Sequence, residues 1–207
     1  MSGRFISFEG IDGSGKSTQI KLLKSYLESK GIAVELIREP GGTKLGEEIR
    51  ELLLRQREEA MSSRAELLLY EASRAQLCEE FIAPKLKEST WILSDRFYDS
   101  STAYQGGGRG LCVEEIKLLN AFAVDKTAPD ISFLLDLDPA LAYKRTALRH
   151  ELDRLEAEGL EFMKKVRSSY LDLARTEPER IKCIDASSSD PEAVFEQIKA
   201  HIAQYLD

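Results

Sequence analysis

The amino-acid sequence predicts an α/β protein in three layers, with a five-stranded parallel sheet flanked by helices. Two observations carry this. Short apolar runs of strand length alternate with longer amphipathic stretches of helical period along the whole chain. A strand followed by a helix and another strand is the pattern of a parallel sheet covered on both faces. There is also no internal repeat and no linker-like tract, so the 207 residues read as one domain.

Taken in order, Phe5-Ile6-Ser7-Phe8 is the first strand. From Lys16 to Lys30 the residues Ile20, Leu23 and Leu27 recur at helical spacing, and Gly31 is placed to end that helix. Ala33-Val34-Glu35-Leu36-Ile37 is the second strand. The glycine-rich loop Glu39-Pro40-Gly41-Gly42 follows, then a helix bearing Leu45, Ile49, Leu52 and Leu53. The segment from Arg64 to Phe81 is predicted as one helix ending near Pro84. Trp91-Ile92-Leu93, Ile131-Ser132-Phe133-Leu134-Leu135 and Ile181-Lys182-Cys183-Ile184 supply the remaining strands. A last helix runs from about Pro191 to Leu206. Lys144 to Glu158 breaks the regularity, being dense in both signs of charge and poor in large apolar residues. It reads either as a solvated helix or as a mobile lid.

Composition narrows the function. At 43% hydrophobic and 31% charged, the chain is neither disordered nor a low-complexity tract. A net charge of −7 would repel nucleic acid, so any use of polyanions rests on local clusters of positive charge. Cys78, Cys112 and Cys183 have no metal-ligand spacing, which points to reduced thiols and a cytoplasmic setting. No apolar run approaches the roughly 20 residues of a membrane span. The chain enters a strand almost at once, leaving no room for a signal peptide. No nucleic-acid or membrane partner is expected.

Gly10-Ile11-Asp12-Gly13-Ser14-Gly15-Lys16-Ser17 fits the phosphate-binding loop G-x-x-x-x-G-K-[ST], between a strand and a helix as that loop requires. Its glycines let consecutive backbone N–H groups converge on a phosphate, at the positive end of the next helix. Lys16 is placed to bridge the β- and γ-phosphates and the Ser17 hydroxyl to ligate Mg²⁺. The chain therefore binds a nucleoside triphosphate, either to hydrolyse it as a switch or motor or to pass on its γ-phosphoryl.

The apolar run Trp91-Ile92-Leu93 continues as Ser94-Asp95-Arg96, an acid and a base at a strand end, where ligands gather in open parallel sheets. Asp95 is a candidate for the metal's water shell and Arg96 for a phosphate; a surface ion pair is the plain alternative. Arg74 lies four residues after Tyr70 on one helical face, which suits a base that is stacked and hydrogen-bonded, or an ordinary surface pair. Arg50, among Glu47, Glu48 and Glu51, is by itself an ordinary helix charge. From Ser100 to Gly110 small polar residues run into four glycines, a segment able to approach a ligand closely or else a floppy loop.

Phe8-Glu9-Gly10-Ile11-Asp12-Gly13-Ser14-Gly15-Lys16-Ser17-Thr18, Arg38-Glu39-Pro40-Gly41-Gly42-Thr43, Asp95-Arg96 and Ala103-Tyr104-Gln105-Gly106 together resemble the signature of thymidylate kinases. Leu134-Leu135-Asp136-Leu137-Asp138-Pro139 and Glu151-Leu152-Asp153-Arg154-Leu155-Glu156 extend the resemblance over essentially the whole chain. It implies the P-loop nucleoside-monophosphate kinase fold with a lid over about residues 144–158, a homodimer, and transfer of a phosphoryl group from Mg-ATP to dTMP. It implies that Gly10 to Thr18 hold ATP. Arg50 and Arg96 would hold the dTMP phosphate, Tyr70 would stack on thymine where the family commonly has Phe, and Arg74, Ser101 and Gln105 would contact the pyrimidine. Tyr104 and Asp12 fall where the family senses the deoxyribose, and Glu39 lies near acceptor and metal. Arg145, Arg149 and Arg154 match a type with basic residues in the lid, Gly13 standing where the other type carries an arginine. Arg149 is the first choice for the transition-state contact, with Lys16, Arg96 and Asp12 as the other catalytic candidates.

The chemistry is self-consistent. A monophosphate is mostly dianionic at pH 7, its second pKa being about 6, and needs no general base. The chain's two histidines, His150 and His201, lie away from strand ends, and His201 reads as a surface residue. The obstacle is repulsion between polyanions, which local cations and magnesium must offset. The rival readings are a kinase for another monophosphate, a nucleotide switch, and a DNA-binding ATPase. Against the switch stands the lack of N-K-x-D, Asn120 being the only asparagine.

Overall fold

A computed structural model describes residues 2–56, 58–146 and 154–206. Strand β1 (Phe5–Glu9) is buried along its whole length and lies at the centre of the sheet. Around it are β2 (Val34–Arg38), β3 (Trp91–Asp95), β4 (Ile131–Asp136) and β5 (Ile181–Asp185). All pairings are parallel and the order is β2-β3-β1-β4-β5. The chain reverses its direction of travel across the sheet at β1, so the C-terminal ends of β1, β3 and β4 open a crevice there.

The two faces of β1 differ. Ile6 and Phe8 point into a core shared with Ile20, Leu23 and Leu27 of α1 (Lys16–Ser29) and with Ile198 and Ile202 of α9 (Pro191–Ile202). Phe5, Ser7 and Glu9 point the other way. Phe5 packs with Ile92, Leu77, Ile82, Phe97 and Val124, bringing in α3 (Ser63–Leu77) and α6 (Val113–Val124). Ser7 Oγ donates a 2.7 Å hydrogen bond to Ser132 Oγ of β4, so this face carries a buried polar strip. Asp99 and Arg180 close it with paired bonds of 2.7 and 2.8 Å. Helix α2 (Lys44–Leu54) is capped by Thr43, whose Oγ1 accepts from the Gly46 N–H at 3.0 Å.

Two sequence expectations are corrected. The helix from Arg64 does not stop near Pro84: α3 widens into a π-turn at Cys78–Ile82 and continues as α4 (Ala83–Lys87). Proline has no N–H for a regular helix bond, and the widened turn sits directly before it. Residues 100–108 are not a loop but helical, α5 (Tyr98–Ser101) running into a π-turn at Thr102–Gly108. Two of its glycines, Gly107 and Gly108, are set by packing. A Cβ on Gly108 would lie 2.5 Å from the Phe162 ring, and one on Gly107 would overlap Ser169, both on α8 (Leu160–Thr176). Of the charged stretch 144–158, residues 147–153 lie outside the described residues. It begins in the last turn of α7 (Pro139–Thr146), and beyond the undescribed residues Leu155 is buried and Arg154 ion-paired. Among the described residues no helix is long and apolar enough to cross a membrane.

Candidate functional site

The loop between β1 and α1 turns on Gly10, Gly13 and Gly15, with φ of 127°, 81° and 99°, values open mainly to glycine. A Cβ on Gly10 would meet the Leu135 carbonyl oxygen at 2.6 Å, whereas Gly15 faces open space. That space is the cradle at the N-terminus of α1. Lys16 folds back under the loop and donates from Nζ to the carbonyl oxygens of Gly10 at 3.0 Å and Ile11 at 3.2 Å. Burial, with Arg96 nearby, pulls its ammonium below the usual lysine range.

Arg96 follows β3 with φ 70°, a left-handed conformation uncommon for a residue with a side chain. The turn is held from below by Glu9, whose Oε1 accepts from the Phe97 N–H at 2.8 Å. Glu9 Oε2 accepts from Ser100 Oγ at 2.7 Å and Tyr170 Oη at 3.1 Å, and both hydroxyls in turn touch Arg96 Nη1. Arg96 also donates to Asp12 Oδ1 at 2.7 Å and to Tyr104 Oη at 3.1 Å, its guanidinium 5.0 Å from the Tyr104 ring centre. Asp12 thus lies between Arg96 and Lys16, the latter 3.7 Å away. Burial opposes its ionisation, but the two cations prevail and hold its carboxyl down at about 2. Glu9 is the reverse case: burial, reinforced by Asp99, pushes it up to about 8.

These groups line one cleft of about 940 Å³, large for a ligand pocket. Asp12 to Thr18 and Arg145 form one end; Arg50, Tyr70, Ser101, Tyr104 and Gln105 line the other, and Glu39, Asp95 and Arg96 also border it. Arg50 donates to the Pro40 carbonyl at 2.9 Å. Arg145 donates to the Ala186 and Ser188 carbonyls at 3.3 and 3.2 Å, joining α7 to the loop after β5. Ser17 Oγ donates to Asp95 Oδ2 at 3.2 Å. A hydroxyl and a carboxylate at the cleft wall are the hard oxygen donors that magnesium takes together with water and phosphate. Among the described residues no three His, Cys, Asp or Glu side chains converge on a point.

Two of the arginines singled out from sequence are placed differently from the rest. Arg74 is buried and does not line the cleft. Nε donates to Glu39, Nη1 to Glu71 and Asn120, and Nη2 to Ser101, with Nη2 also 2.8 Å from the Glu39 carboxylate, so the guanidinium is committed within the protein. Arg154 reaches Glu66 and the Leu53 carbonyl, on the acceptor side rather than the triphosphate cradle. Arg149 lies outside the described residues. Glu39 is held beneath the cleft by Arg74, yet burial lifts its carboxyl to about 7.

Sequence reasoning gave no role to Glu9, Glu66 or Tyr170. Two signals pointed to Glu9 and Glu66. Glu9 is an acid ending an apolar strand, and Glu66, Tyr70 and Arg74 recur at intervals of four on one helix. No such signal marked Tyr170, since only the fold brings α8 beside β1.

A phosphate cradle facing a second basic and aromatic pocket, on this sheet order, defines a P-loop kinase of the nucleoside-monophosphate type. The family model described as thymidylate kinase matches residues 8–198. The thymidylate kinase of Thermosipho africanus is 51% identical over 202 residues, covering 98% of each chain. That of Bifidobacterium longum is 47% identical over 207 residues, covering 99% of each. Among solved structures, thymidylate kinase from Ehrlichia chaffeensis superposes with a TM-score of 0.79 at 34% identity, over 98% of this chain and 99% of that one. The chain belongs to the thymidylate kinase family, and it is an enzyme.

Proposed function

We propose that this chain transfers the γ-phosphoryl group of Mg-ATP to dTMP, giving ADP and dTDP, with the two ends of the cleft as donor and acceptor sites. The observation that carries the reading is the Lys16–Asp12–Arg96 chain, which joins the P-loop to the strand end where the two sites meet. The acceptor is already a nucleophile at pH 7, so positioning and charge carry the reaction. Gly13 to Thr18 bind the triphosphate through backbone N–H groups, and Lys16 spans its outer phosphates. Arg50 and Arg96 hold the dTMP phosphate in line with it, and Tyr70 stacks on the base. Asp12 keeps the two cations close before substrate arrives, and with Tyr104 it borders the sugar. Ser17 directly and Asp95 through water would hold magnesium, which when bound neutralises charge on the donor phosphates. Arg145 flanks the donor base; Arg149 supplies the lid's charge in the transition state.

The state of assembly and setting belong to the same proposal. Leu118 and Phe122, one turn apart on α6, are 73% and 86% exposed, and Leu68 on neighbouring α3 is 56% exposed. Large apolar side chains left in water favour a homodimer through this face. The three free thiols favour a reducing, cytoplasmic setting.

The test is ADP release from Mg-ATP with dTMP, dUMP, UMP, CMP, AMP and GMP offered separately, beside a control without acceptor. Rapid release with dTMP and little in the control is expected. Equal release without acceptor would replace the kinase by a hydrolase, and preference for another monophosphate would overturn the base assignment.

A further inference from the structure

Arg96 is held from two sides. Nη2 donates to Asp12 Oδ1 and Tyr104 Oη, and Nη1 to the Gly10 carbonyl at 3.0 Å, Ser100 Oγ at 3.3 Å and Tyr170 Oη at 3.4 Å. Asp12, Ser100 and Tyr104 line the cleft, where an arriving phosphate meets them, whereas Gly10 and Tyr170 do not. Among the described residues, Tyr170 is thus the side chain that hydrogen-bonds Arg96 from behind. It is 2% exposed, on α8, and its hydroxyl sits at a junction of segments. Oη lies 2.7 Å from Ser100 Oγ and donates to Glu9 Oε2 at 3.1 Å. Burial, reinforced by Glu9, pushes the phenol well above its usual range, so it stays a neutral hydroxyl whose oxygen can accept from Arg96. The Tyr170 ring also stands edge-on to that of Tyr104, centroids 6.3 Å apart, and the Arg96 guanidinium lies over the Tyr104 ring. One residue therefore braces Arg96 at Nη1 and, through Tyr104, beneath its fork.

We propose that Tyr170 is a positioning residue for Arg96: its hydroxyl holds the guanidinium in the orientation that receives the acceptor's phosphate, while Tyr170 itself touches no substrate. The proposal rests on the reading of Arg96 as a holder of the dTMP phosphate. It adds what fixes that arginine once substrate has displaced its contacts on the cleft wall. Arginine loses much rotamer freedom when it grips a ligand, and a guanidinium held beforehand loses less at that moment. Like charge is the second reason. Arg96 is close enough to Lys16 to depress its ammonium, so an unbraced fork would turn away from the cradle.

The test is isothermal titration calorimetry of the whole enzyme, without ATP, against dTMP and against thymidine, which lacks the phosphate. Tyr170→Phe removes the hydroxyl and keeps the ring against Tyr104. Affinity for dTMP is expected to fall roughly tenfold and that for thymidine to stay within about twofold. In Arg96→Met no guanidinium is left to hold, so adding Tyr170→Phe there is expected to change dTMP affinity by less than about twofold. If Tyr170 merely supports the fold, Tyr170→Phe weakens both ligands by one factor, or its effect persists undiminished beside Arg96→Met. Either result overturns the proposal, and so does an unchanged affinity for dTMP in Tyr170→Phe. An unmodified enzyme that does not bind dTMP would instead defeat the proposed function, a different outcome.

Discussion

Replacing Glu9 by Gln tests the physical reading of the site's floor. Glu9 is 0% exposed, and folding carries its carboxyl from 4.5 to about 8, mainly by burial and then by the charge on Asp99. Arg96, Ser100 and Tyr170 pull the other way without prevailing. A carboxyl raised by folding binds its proton more tightly in the native state. Its contribution to stability is therefore complete below about pH 4.5 and is lost as pH rises through about 8. A change of that size is worth up to about 5 kcal/mol, and relaxation around the charge makes about half of it a fair lower bound. Glutamine keeps the oxygen that accepts from Phe97 and cannot ionise. At 1 kcal/mol per roughly 2–4 °C for a chain of this length, the melting temperature of Glu9→Gln relative to the unmodified protein should rise on the order of 10 °C between pH 5 and pH 9. Differential scanning calorimetry across that range measures it. Glu39 and Asp12 also titrate abnormally, but both proteins contain them and the difference removes them. Parallel curves would refute the reasoning, because they would mean that Glu9 ionises in the folded protein as easily as in the unfolded one.

Ser17→Ala should raise the magnesium concentration for half-maximal turnover while changing stability without metal by no more than about 0.5 kcal/mol; an unchanged magnesium requirement would remove Ser17 from the metal site. Arg180→Met leaves the buried Asp99 without its paired cation, and urea unfolding should show a loss of about 3–5 kcal/mol. A loss under about 1 kcal/mol would mean that water or Ser132 suffices for Asp99. Phe122→Glu should convert a dimer to a monomer by light scattering at micromolar concentration. A monomeric mass for the unmodified chain would remove the dimer from the proposal.

Much of the site was legible because its chemistry is local. A phosphate loop is a run of consecutive residues whose glycines, lysine and hydroxyl must stand at fixed offsets, so Gly10 to Ser17 announce themselves. Strand-end acids and bases such as Asp95 and Arg96 are nearly as plain, since a strand fixes which end carries them. The leucine-rich runs Leu52-Leu53-Leu54 and Leu67-Leu68-Leu69 exceed what one sheet face should bury and lead to the expectation of a dimer surface on both. Leu53 and Leu67 are core residues while Leu52 and Leu68 are exposed, and among the described residues the most exposed large apolar side chain, Phe122, lies on a helix that attracted no notice in the sequence. His201, expected at the surface, is half-buried with its ring 6.3 Å from Phe133.

By itself the sequence determined the alternation of strand and helix, the triphosphate cradle and the residue types around the acceptor, since each follows from spacing along one segment. Which way those residues work was decided by contacts between segments far apart in the chain. Arg74 spends its N–H groups on Glu71 of its own helix and on Glu39, Ser101 and Asn120 from three other stretches, and no spacing rule reveals that the guanidinium is already committed. Glu9 meets Tyr170 across 161 positions, and Arg154 crosses to Glu66 on α3. Burial and pairing, which set the charge of a carboxyl, are properties of the assembled core and exist only once the chain has closed on itself.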